Sequence, residues 1–334
     1  MLFKAKVFTS KLKPFLFGLL ATLLIVACQN NAVRQPTNSQ PADCRTVQHA
    51  FGETCIPTNP QRIVVTNQIA FEVVLALDLK PIAAAEPNLV GSRFRHLARK
   101  ADNVVSIGKE NQLSLEKILQ LNPDLILGSS YNLEKNYKQF SQIAPTVALD
   151  FYSHDAWKAT LERVGEILNR SQQVQQQLEN YQKQVEKLQA AMGEQLDKIK
   201  VSVVRFYADE RIEFRDSFSF PGSVLEDVGL PRPDVQYKTN SDSTSQKVST
   251  ERLDLLDGDA IFVAIDAGAK ESFSKFSQDP LWQKLEAVQG DRVFTVDSGY
   301  WIFGNVLAAN AILDDLEKYL VDSTSVPPTP RNSA

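Results

Sequence analysis

The segment SLEKILQLNPDLIL at residues 114–127 recurs 135 residues later as STERLDLLDGDAIF at residues 249–262. Both copies have the same serine, glutamate, basic residue and aliphatic positions in the same order. Each is predicted to form a short helix that begins after its serine and carries a glutamate in its first turn, where the helix dipole favours negative charge. A tight turn and a buried strand are expected after each helix.

Shorter pieces around the two copies repeat as well. RIVVT at residues 62–66 is similar to VSVVR at 201–205, and TVALD at 146–150 is similar to VFTVD at 293–297. A period of about 140 residues is far too long for a solenoid. The sequence therefore predicts an α/β fold with two similar Rossmann-like lobes, each built on a mostly parallel sheet, with a ligand cleft between them.

Between the two copies, apolar residues recur every three or four positions from Val174 to Ile199. Such a stripe is typical of one amphipathic helix, and a helix over residues 171–199 would be about 43 Å long, enough to join two lobes. Gly193 is expected to weaken its last turns. A two-stranded coiled coil is the alternative, but Gln-rich flanks without paired charges favour packing within one chain.

The N-terminus has the parts of a secretory signal. Residues 1–13 carry four lysines and no acid, and residues 14–27 are apolar apart from Thr22. That apolar stretch would rise only about 21 Å as a helix, short of the roughly 30 Å hydrocarbon core, so a permanent span is not expected. The ending IVAC at 25–28 resembles a bacterial lipobox and predicts lipidation of Cys28. A plain secretory signal with an incidental cysteine is the alternative.

Two further cysteines, Cys44 and Cys55, lie on either side of an alternating stretch with a glycine turn. Outside the cytosol such a pair is predicted to form a disulfide, here one that staples a β-hairpin. A metal site is the competing interpretation, and it would need more soft ligands than His49 can add.

The predicted organisation has six parts. Two of them, a tether near the N-terminus and a C-terminal tail, are rich in polar residues and proline and have few apolar residues to form a core. The six parts are a signal peptide at 1–27, a lipidated cysteine with a flexible tether at 28–42, an N-terminal lobe with the disulfide hairpin at 43–168, a connecting helix at 169–199, a C-terminal lobe at 200–322 and a disordered tail at 323–334.

Charge and missing motifs exclude several classes of function. The 36 Lys and Arg against 40 Asp and Glu give a net charge of −4, the opposite of what a nucleic-acid binder needs. The sequence has no nucleophile elbow, His-Glu-x-x-His motif, P-loop or dinucleotide-binding glycine motif. His49, His96 and His154 are scattered, so no metal site is expected. A surface hydrolase built on a lone serine such as Ser130 remains a remote alternative.

The lipobox, the two lobes and the long connecting helix together resemble the substrate-binding lipoproteins of iron–siderophore ABC importers, which are helix-hinged (class III) periplasmic binding proteins. TNPQRIVV at 58–65, the segment at 114–127 and PLWQKL at 280–285 support this likeness, which covers residues 43–320. It implies a monomeric binding protein that is not an enzyme and has no cofactor. Its ligand would be a small-molecule ferric chelate, a ferric siderophore, with haem or cobalamin as the alternative cargo on the same fold.

The resemblance also implies a partner and a location. The partner would be an ABC permease dimer, and the protein would lie at the periplasmic or extracytoplasmic face, held to the membrane by its lipid anchor. Glu116 and Glu251 look like the two acids that dock onto permease arginines, since carboxylates related by a pseudo-two-fold axis suit a two-fold-symmetric partner. The alternative is that each acid only interacts with its own helix dipole.

Candidate ligand contacts lie where the predicted strands end, because ligands of open α/β lobes sit beyond the carboxyl ends of the strands. Aromatic rings suit an organic chelator and guanidinium groups suit its anionic oxygens. The predicted ligand-binding residues are Ser130, Tyr131, Arg205, Arg215, Tyr300 and Trp301, together with Arg93. Arg215 is expected on a loop over residues 211–220, between the first strand and the first helix of the C-terminal lobe, that faces the cleft. Arg93 is included because this chain has Lys109-Glu110 where several relatives of the family carry an arginine.

Overall fold

A computed structural model describes residues 43–87, 97, 100–151, 156–237 and 243–321. The predicted signal peptide, the tether with Cys28, Arg93, and the tail lie outside these described residues. Within the described ranges, no helix has the length and apolar character needed to cross a membrane.

The described chain begins with a hairpin and continues into a six-stranded sheet. Strand β1 (Cys44–His49) pairs antiparallel with β2 (Gly52–Pro57). In the sheet, whose order is β6-β5-β4-β3-β7-β8, all neighbours are parallel except β5 and β6. Its strands are β3 (Ile63–Val65), β4 (Ala83–Glu86), β5 (Val105–Lys109), β6 (Gln112–Leu113), β7 (Leu125–Ser129) and β8 (Thr146–Leu149).

A second sheet of five strands follows in the order β11-β10-β9-β12-β13. Its strands are β9 (Val201–Phe206), β10 (Ile212–Arg215), β11 (Ser245–Lys247), β12 (Ala260–Ile265) and β13 (Val293–Asp297). Strands β9, β12 and β13 are parallel, whereas β10 and β11 pair antiparallel at one edge. The predicted α/β fold with two lobes is confirmed.

Helices cover these sheets and connect their strands. The α-helices are α1 (Gln68–Ala76), α2 (Leu115–Gln120), α3 (Ser130–Leu133), α4 (Tyr137–Ile143), α5 (Ala156–Ile167), α6 (Ser171–Met192), α7 (Phe220–Val228), α8 (Lys270–Phe276), α9 (Glu286–Gln289), α10 (Ser298–Trp301) and α11 (Val306–Leu316). Short 3-10 helices span Glu134–Asn136, Gly193–Gln195, Asp234–Gln236, Thr250–Leu256 and Trp282–Lys284, and Glu317–Val321 is a π-helical turn.

The long helix α6 lies between the two sheets in sequence and ends earlier than the periodicity predicts. Its 22 residues correspond to about 33 Å, and it stops at Met192 because Gly193 takes a φ of 53°. Val174, Tyr181 and Leu188 lie on its buried face. Helices α5, α7 and α11 of the same chain pack against α6, which favours packing within one chain over a coiled coil.

The repeated aspartates have a structural reason that the sequence did not show. Asp124, just before β7, accepts hydrogen bonds from the backbone N–H groups of Gln61 (2.7 Å) and Arg62 (2.8 Å) at the start of β3. Asp259, just before β12, accepts one from the N–H of Lys200 (2.8 Å) at the start of β9. In each lobe the repeat therefore ties the central strand to its neighbour.

The helix predicted after Ser249 is wrong in type. Ser114 caps α2 by accepting from the N–H of Lys117 (3.3 Å), whereas residues Thr250–Leu256 form a 3-10 helix, kinked at Arg252, that has no side-chain cap. The second copy has threonine and aspartate where the first has leucine twice, and these residues are poorer helix formers. Arg252 and Asp254, moreover, are paired by two hydrogen bonds of 2.9 Å.

The hairpin disulfide is confirmed. Cys44 and Cys55 are bonded, with their Cα atoms 5.6 Å apart. The hairpin packs on the first lobe, where Ala50 N–H donates to the carbonyl of Ala148 (3.0 Å) and Arg45 donates to the carbonyls of Glu166 and Ile167 at the end of α5.

Candidate ligand-binding site between the lobes

The carboxyl ends of the two sheets meet where α1 of the first lobe faces the segment after β13. Gln68, the first residue of α1, donates through Nε2 to the carbonyl oxygens of Gly299 (2.8 Å) and Phe303 (3.2 Å). Residues that follow β3 and residues that follow β13 are therefore in direct contact. This is the edge of an open α/β sheet at which ligands are bound.

Arg205 lies near the end of β9 and is held by a carboxylate. Its Nε and Nη2 donate to the two oxygens of Asp266 at 3.0 and 2.9 Å, and the two side chains are only 3% and 4% exposed. Asp266 follows β12, the strand next to β9. The charge of Arg205 is thus neutralised inside the lobe, by a partner that the sequence did not single out.

Tyr207 lies between two arginines at the same edge. Its ring centroid is 4.1 Å from Cζ of Arg205 and 4.2 Å from Cζ of Arg211, distances typical of cation–π contacts. Its hydroxyl donates to Glu213 (2.7 Å), and burial is the main cause that raises the pKa of Tyr207. Of the three stacked side chains, Arg211 is exposed, Tyr207 is half-buried and Arg205 is buried.

Arg215 was expected on a loop, but it ends strand β10, which pairs antiparallel with β9. Its side chain is 4% exposed, Nη2 donates to Thr244 (3.0 Å), and Nε is enclosed without a hydrogen-bond partner. Burial is the main cause that lowers its pKa. Among the described residues no carboxylate lies close enough to form an ion pair with it, and only the nearby charges of Tyr207, Glu213 and Asp216 partly offset its burial.

The ring of Phe303 joins these groups. Its centroid lies 5.7 Å from Cζ of Arg205 and 5.8 Å from Cζ of Arg215. The structure therefore brings together the two arginines predicted from the sequence, with an aromatic ring between them. Phe303 was not predicted as a contact, since its segment was expected to present Tyr300 and Trp301 instead.

The prediction that Trp301 lines the cleft is wrong. Trp301 is fully buried (0% exposed), stacks on Phe262 with ring centroids 4.7 Å apart, and donates through Nε1 to Asp315 (2.8 Å). Because residues 298–301 form the helical turn α10, adjacent side chains point in different directions. Tyr300 is half-buried and donates its hydroxyl to the same carboxylate (2.7 Å), which together with burial raises its pKa.

The predicted contacts of the first lobe are more exposed. Tyr131 is 79% exposed, and Ser130 donates a hydrogen bond to Asp150. Glu110, at the end of the strand pair β5–β6, accepts from the N–H of Gln68 (2.6 Å), and burial raises its pKa. The Lys109-Glu110 pair thus places a carboxylate, not an arginine, beside α1.

A cavity of about 860 Å³ lies in the second lobe against β13, α8 and α11, and Asp266, Gly299 and Tyr300 are among its lining residues. Asp297, Asp314 and Asp315 line it, and burial with the neighbouring Asp315 raises the pKa of Asp314. Neither Arg205 nor Arg215 lines it, and its aspartates outnumber its two lysines, Lys270 and Lys318, so it suits an anionic ligand less well than the arginines do. Among the described residues, no group of three or more His, Cys, Asp or Glu side chains could hold a metal ion.

The two candidate docking acids are both accessible. Glu116, in the first turn of α2, is exposed and accepts a hydrogen bond from Gln120 (3.3 Å). Glu251 is exposed in the first turn of the 3-10 helix at the matching position of the second lobe.

Two α/β lobes, a single long helix between them in sequence and a cleft with buried arginines define a binding protein of the helix-linked, two-lobed class. Residues 63–300 match the periplasmic binding protein family, and the chain belongs to that family.

Named relatives and solved structures are similar over most of the chain. A probable siderophore-binding lipoprotein, YfiY of Bacillus subtilis, is 33% identical over 91% of this chain and 96% of its own. The achromobactin-binding periplasmic protein of Dickeya dadantii is 29% identical over 78% and 86%. The crystal structure of Staphylococcus aureus SirA with staphyloferrin B has a TM-score of 0.71 and 28% identity, covering 83% of this chain and 98% of that one.

Proposed function

We propose that the protein is the extracytoplasmic substrate-binding component of an ABC importer that captures a ferric siderophore and delivers it to a membrane permease. The main support for this proposal is the burial of Arg215 without a close ion pair to a described carboxylate. A buried guanidinium without a carboxylate partner is unfavourable unless a ligand supplies negative charge. A ferric chelate with anionic oxygens supplies it, and the rings of Tyr207 and Phe303 suit its organic part.

The relatives support the same choice. The Bacillus subtilis protein is named as a probable siderophore-binding lipoprotein, the Dickeya dadantii protein is named for binding achromobactin, and the Staphylococcus aureus structure contains staphyloferrin B. In this proposal the chelator supplies the ligands of the iron. The binding residues of the protein therefore need to recognise only the outer surface of the ferric complex. Arg205, Arg215, Tyr131 and Ser130 are proposed to do so, with Tyr300 and Arg93 as further contacts.

Ligand titration tests this proposal. The purified protein is mixed with ferric citrate, a ferric hydroxamate, a ferric catecholate, haem or cobalamin, and thermal unfolding is followed. A ligand at a hundred times its Kd should add about 2.7 kcal/mol to the free energy of unfolding. We expect one ferric chelate to stabilise the protein and its iron-free form to do so less. Stabilisation by haem or cobalamin alone would contradict the siderophore assignment.

Delivery is proposed to depend on Glu116 and Glu251. We expect Glu116→Ala or Glu251→Ala to lower uptake of the ferric chelate by cells about tenfold, because each removes one close charge pair with the permease. The Kd of the purified variants for the chelate should be unchanged. The measurement is uptake of radioactive iron as the chelate in a strain that lacks the chromosomal copy.

Glu286 provides the matched control for this prediction. It is also an exposed acid in the first turn of a short helix, α9, but it is not part of the repeat. Glu286→Ala should leave uptake unchanged. Equal uptake by the Glu116 and Glu251 variants and the parent would show that these acids only stabilise their helices. Within the same proposal, the protein is a monomer held to the membrane through a lipid on Cys28.

A further inference from the structure

Glu72 is a fully buried acid of the first lobe that binds the start of a helix in the second lobe. Its Oε1 accepts the backbone N–H groups of Asn305 (2.9 Å) and Ala308 (2.7 Å). These residues lie at the N-terminus of the eleven-residue helix α11. A carboxylate at this position satisfies otherwise unpaired N–H groups and interacts favourably with the helix dipole.

Gln68 lies one turn before Glu72 on the same face of α1. It binds the carbonyl oxygens of Gly299 and Phe303, so α1 holds both ends of the segment 299–305. Gly304 lies close to both helices, since a Cβ atom there would lie 2.2 Å from Cβ of Ala308 on α11 and 3.2 Å from Oε2 of Glu72 on α1. Asn305 adds a third link to the first lobe by donating to the carbonyl of Trp157 (2.7 Å).

The segment 299–305 also carries the ring that lies against the arginines. Phe303 accepts from Gln68 through its carbonyl, while its ring lies within 6 Å of the guanidinium carbons of Arg205 and Arg215. A shift of the segment would therefore move Phe303 away from both arginines. The position of this part of the second lobe is set by side chains of the first.

We propose that Gln68 and Glu72 are positioning residues for ligand capture. They hold segment 299–305 of the second lobe against Arg205 and Arg215 without touching the ligand. This inference rests on the proposed function for its effect on affinity. Its structural part, the restraint of the segment by α1, can be tested without any ligand.

Amide hydrogen exchange of the unliganded protein tests the restraint. We expect Gln68→Ala to speed exchange of peptides that cover residues 299–305 about tenfold, because two hydrogen bonds to that segment are lost. Gln177→Ala is the matched control. Gln177 also donates to α1, at the carbonyl of Ala76 (3.0 Å), but from α6 and at the far end of the helix. Equal exchange of 299–305 in the Gln68→Ala variant and the parent would overturn the proposal.

Affinity for the stabilising ferric chelate tests the positioning role. Gln68→Ala and Glu72→Leu should weaken binding about tenfold. Glu72→Gln should stay within about threefold of the parent, since its amide oxygen can still accept both N–H groups. Such rescue would not be expected if Glu72 acted through its charge alone.

The outcomes separate the two proposals. If the parent binds a chelate and the Gln68→Ala and Glu72→Leu variants bind it equally well, the positioning role is wrong and the proposed function stands. If the parent binds none of the chelates but exchange of 299–305 rises as expected, the restraint by α1 stands and the proposed function fails.

Discussion

Replacing Arg215 by methionine is expected to weaken binding of the ferric chelate by about thirtyfold to five-thousandfold and, at the same time, to stabilise the unliganded protein. The loss of affinity corresponds to about 2–5 kcal/mol, which is typical when one partner of a buried charge pair is removed. The gain in stability, about 1–3 kcal/mol, follows because methionine removes a buried cation that forms no close ion pair with a described carboxylate and whose burial outweighs the charges near it. Calorimetric titration and urea unfolding measure the two effects.

Arg205→Met is the matched comparison. The two arginines are equally buried, but removal of Arg205 leaves the carboxylate of Asp266 buried without its ion pair. We therefore expect this variant to lose about 3–5 kcal/mol of stability. Destabilisation of similar size in both variants would contradict the distinction drawn between them. Unchanged affinity in the Arg215→Met variant would remove the observation on which the proposed function rests.

The contrast between these arginines shows where the sequence was informative. The predicted contacts were chosen from strand ends, because parallel strands of one sheet end at a common edge, and Arg205 does lie near the end of β9. The ion-pair partner of a side chain, by contrast, depends on contacts between strands that are far apart in the chain. Arg205 and Asp266 are 61 residues apart. The sequence could therefore predict that Arg205 lies at the site, but not that its charge is already paired.

The errors have a similar cause. Trp301 was placed in the cleft because it follows a strand, but the helical turn α10 directs it into the core. Arg215 was placed on a loop because the antiparallel strand β10 is only four residues long and has no repeat counterpart. The residues that hold the lobes together, Gln68 and Glu72, were missed since neither belongs to the repeated segments.

Stability of the unliganded protein is expected to fall as pH rises from 4.5 to 7, and Glu72 is expected to be a main cause. Burial raises the pKa of Glu72 from 4.5 to about 7, although the backbone N–H groups of Ala308, Asn305 and Leu307 oppose the shift. Between these two values the folded protein binds more protons at this carboxyl than the unfolded chain does. The contribution of Glu72 to the free energy of unfolding therefore falls by up to about 3 kcal/mol across this window and is constant above it.

The difference in free energy of unfolding between the parent and Glu72→Gln isolates this effect, because other acids with raised pKa values, such as Glu110 and Asp314, contribute equally to both. Urea unfolding at half-unit steps from pH 4.5 to 8 should show Glu72→Gln gaining stability relative to the parent as pH rises to 7, and no further gain above. Glu179→Gln, an exposed substitution on α6, should show no such trend. If the difference in free energy of unfolding between the parent and Glu72→Gln does not vary with pH, the pKa of Glu72 is not raised. The carboxylate would then be held ionised by the N-terminus of α11 strongly enough to offset its burial.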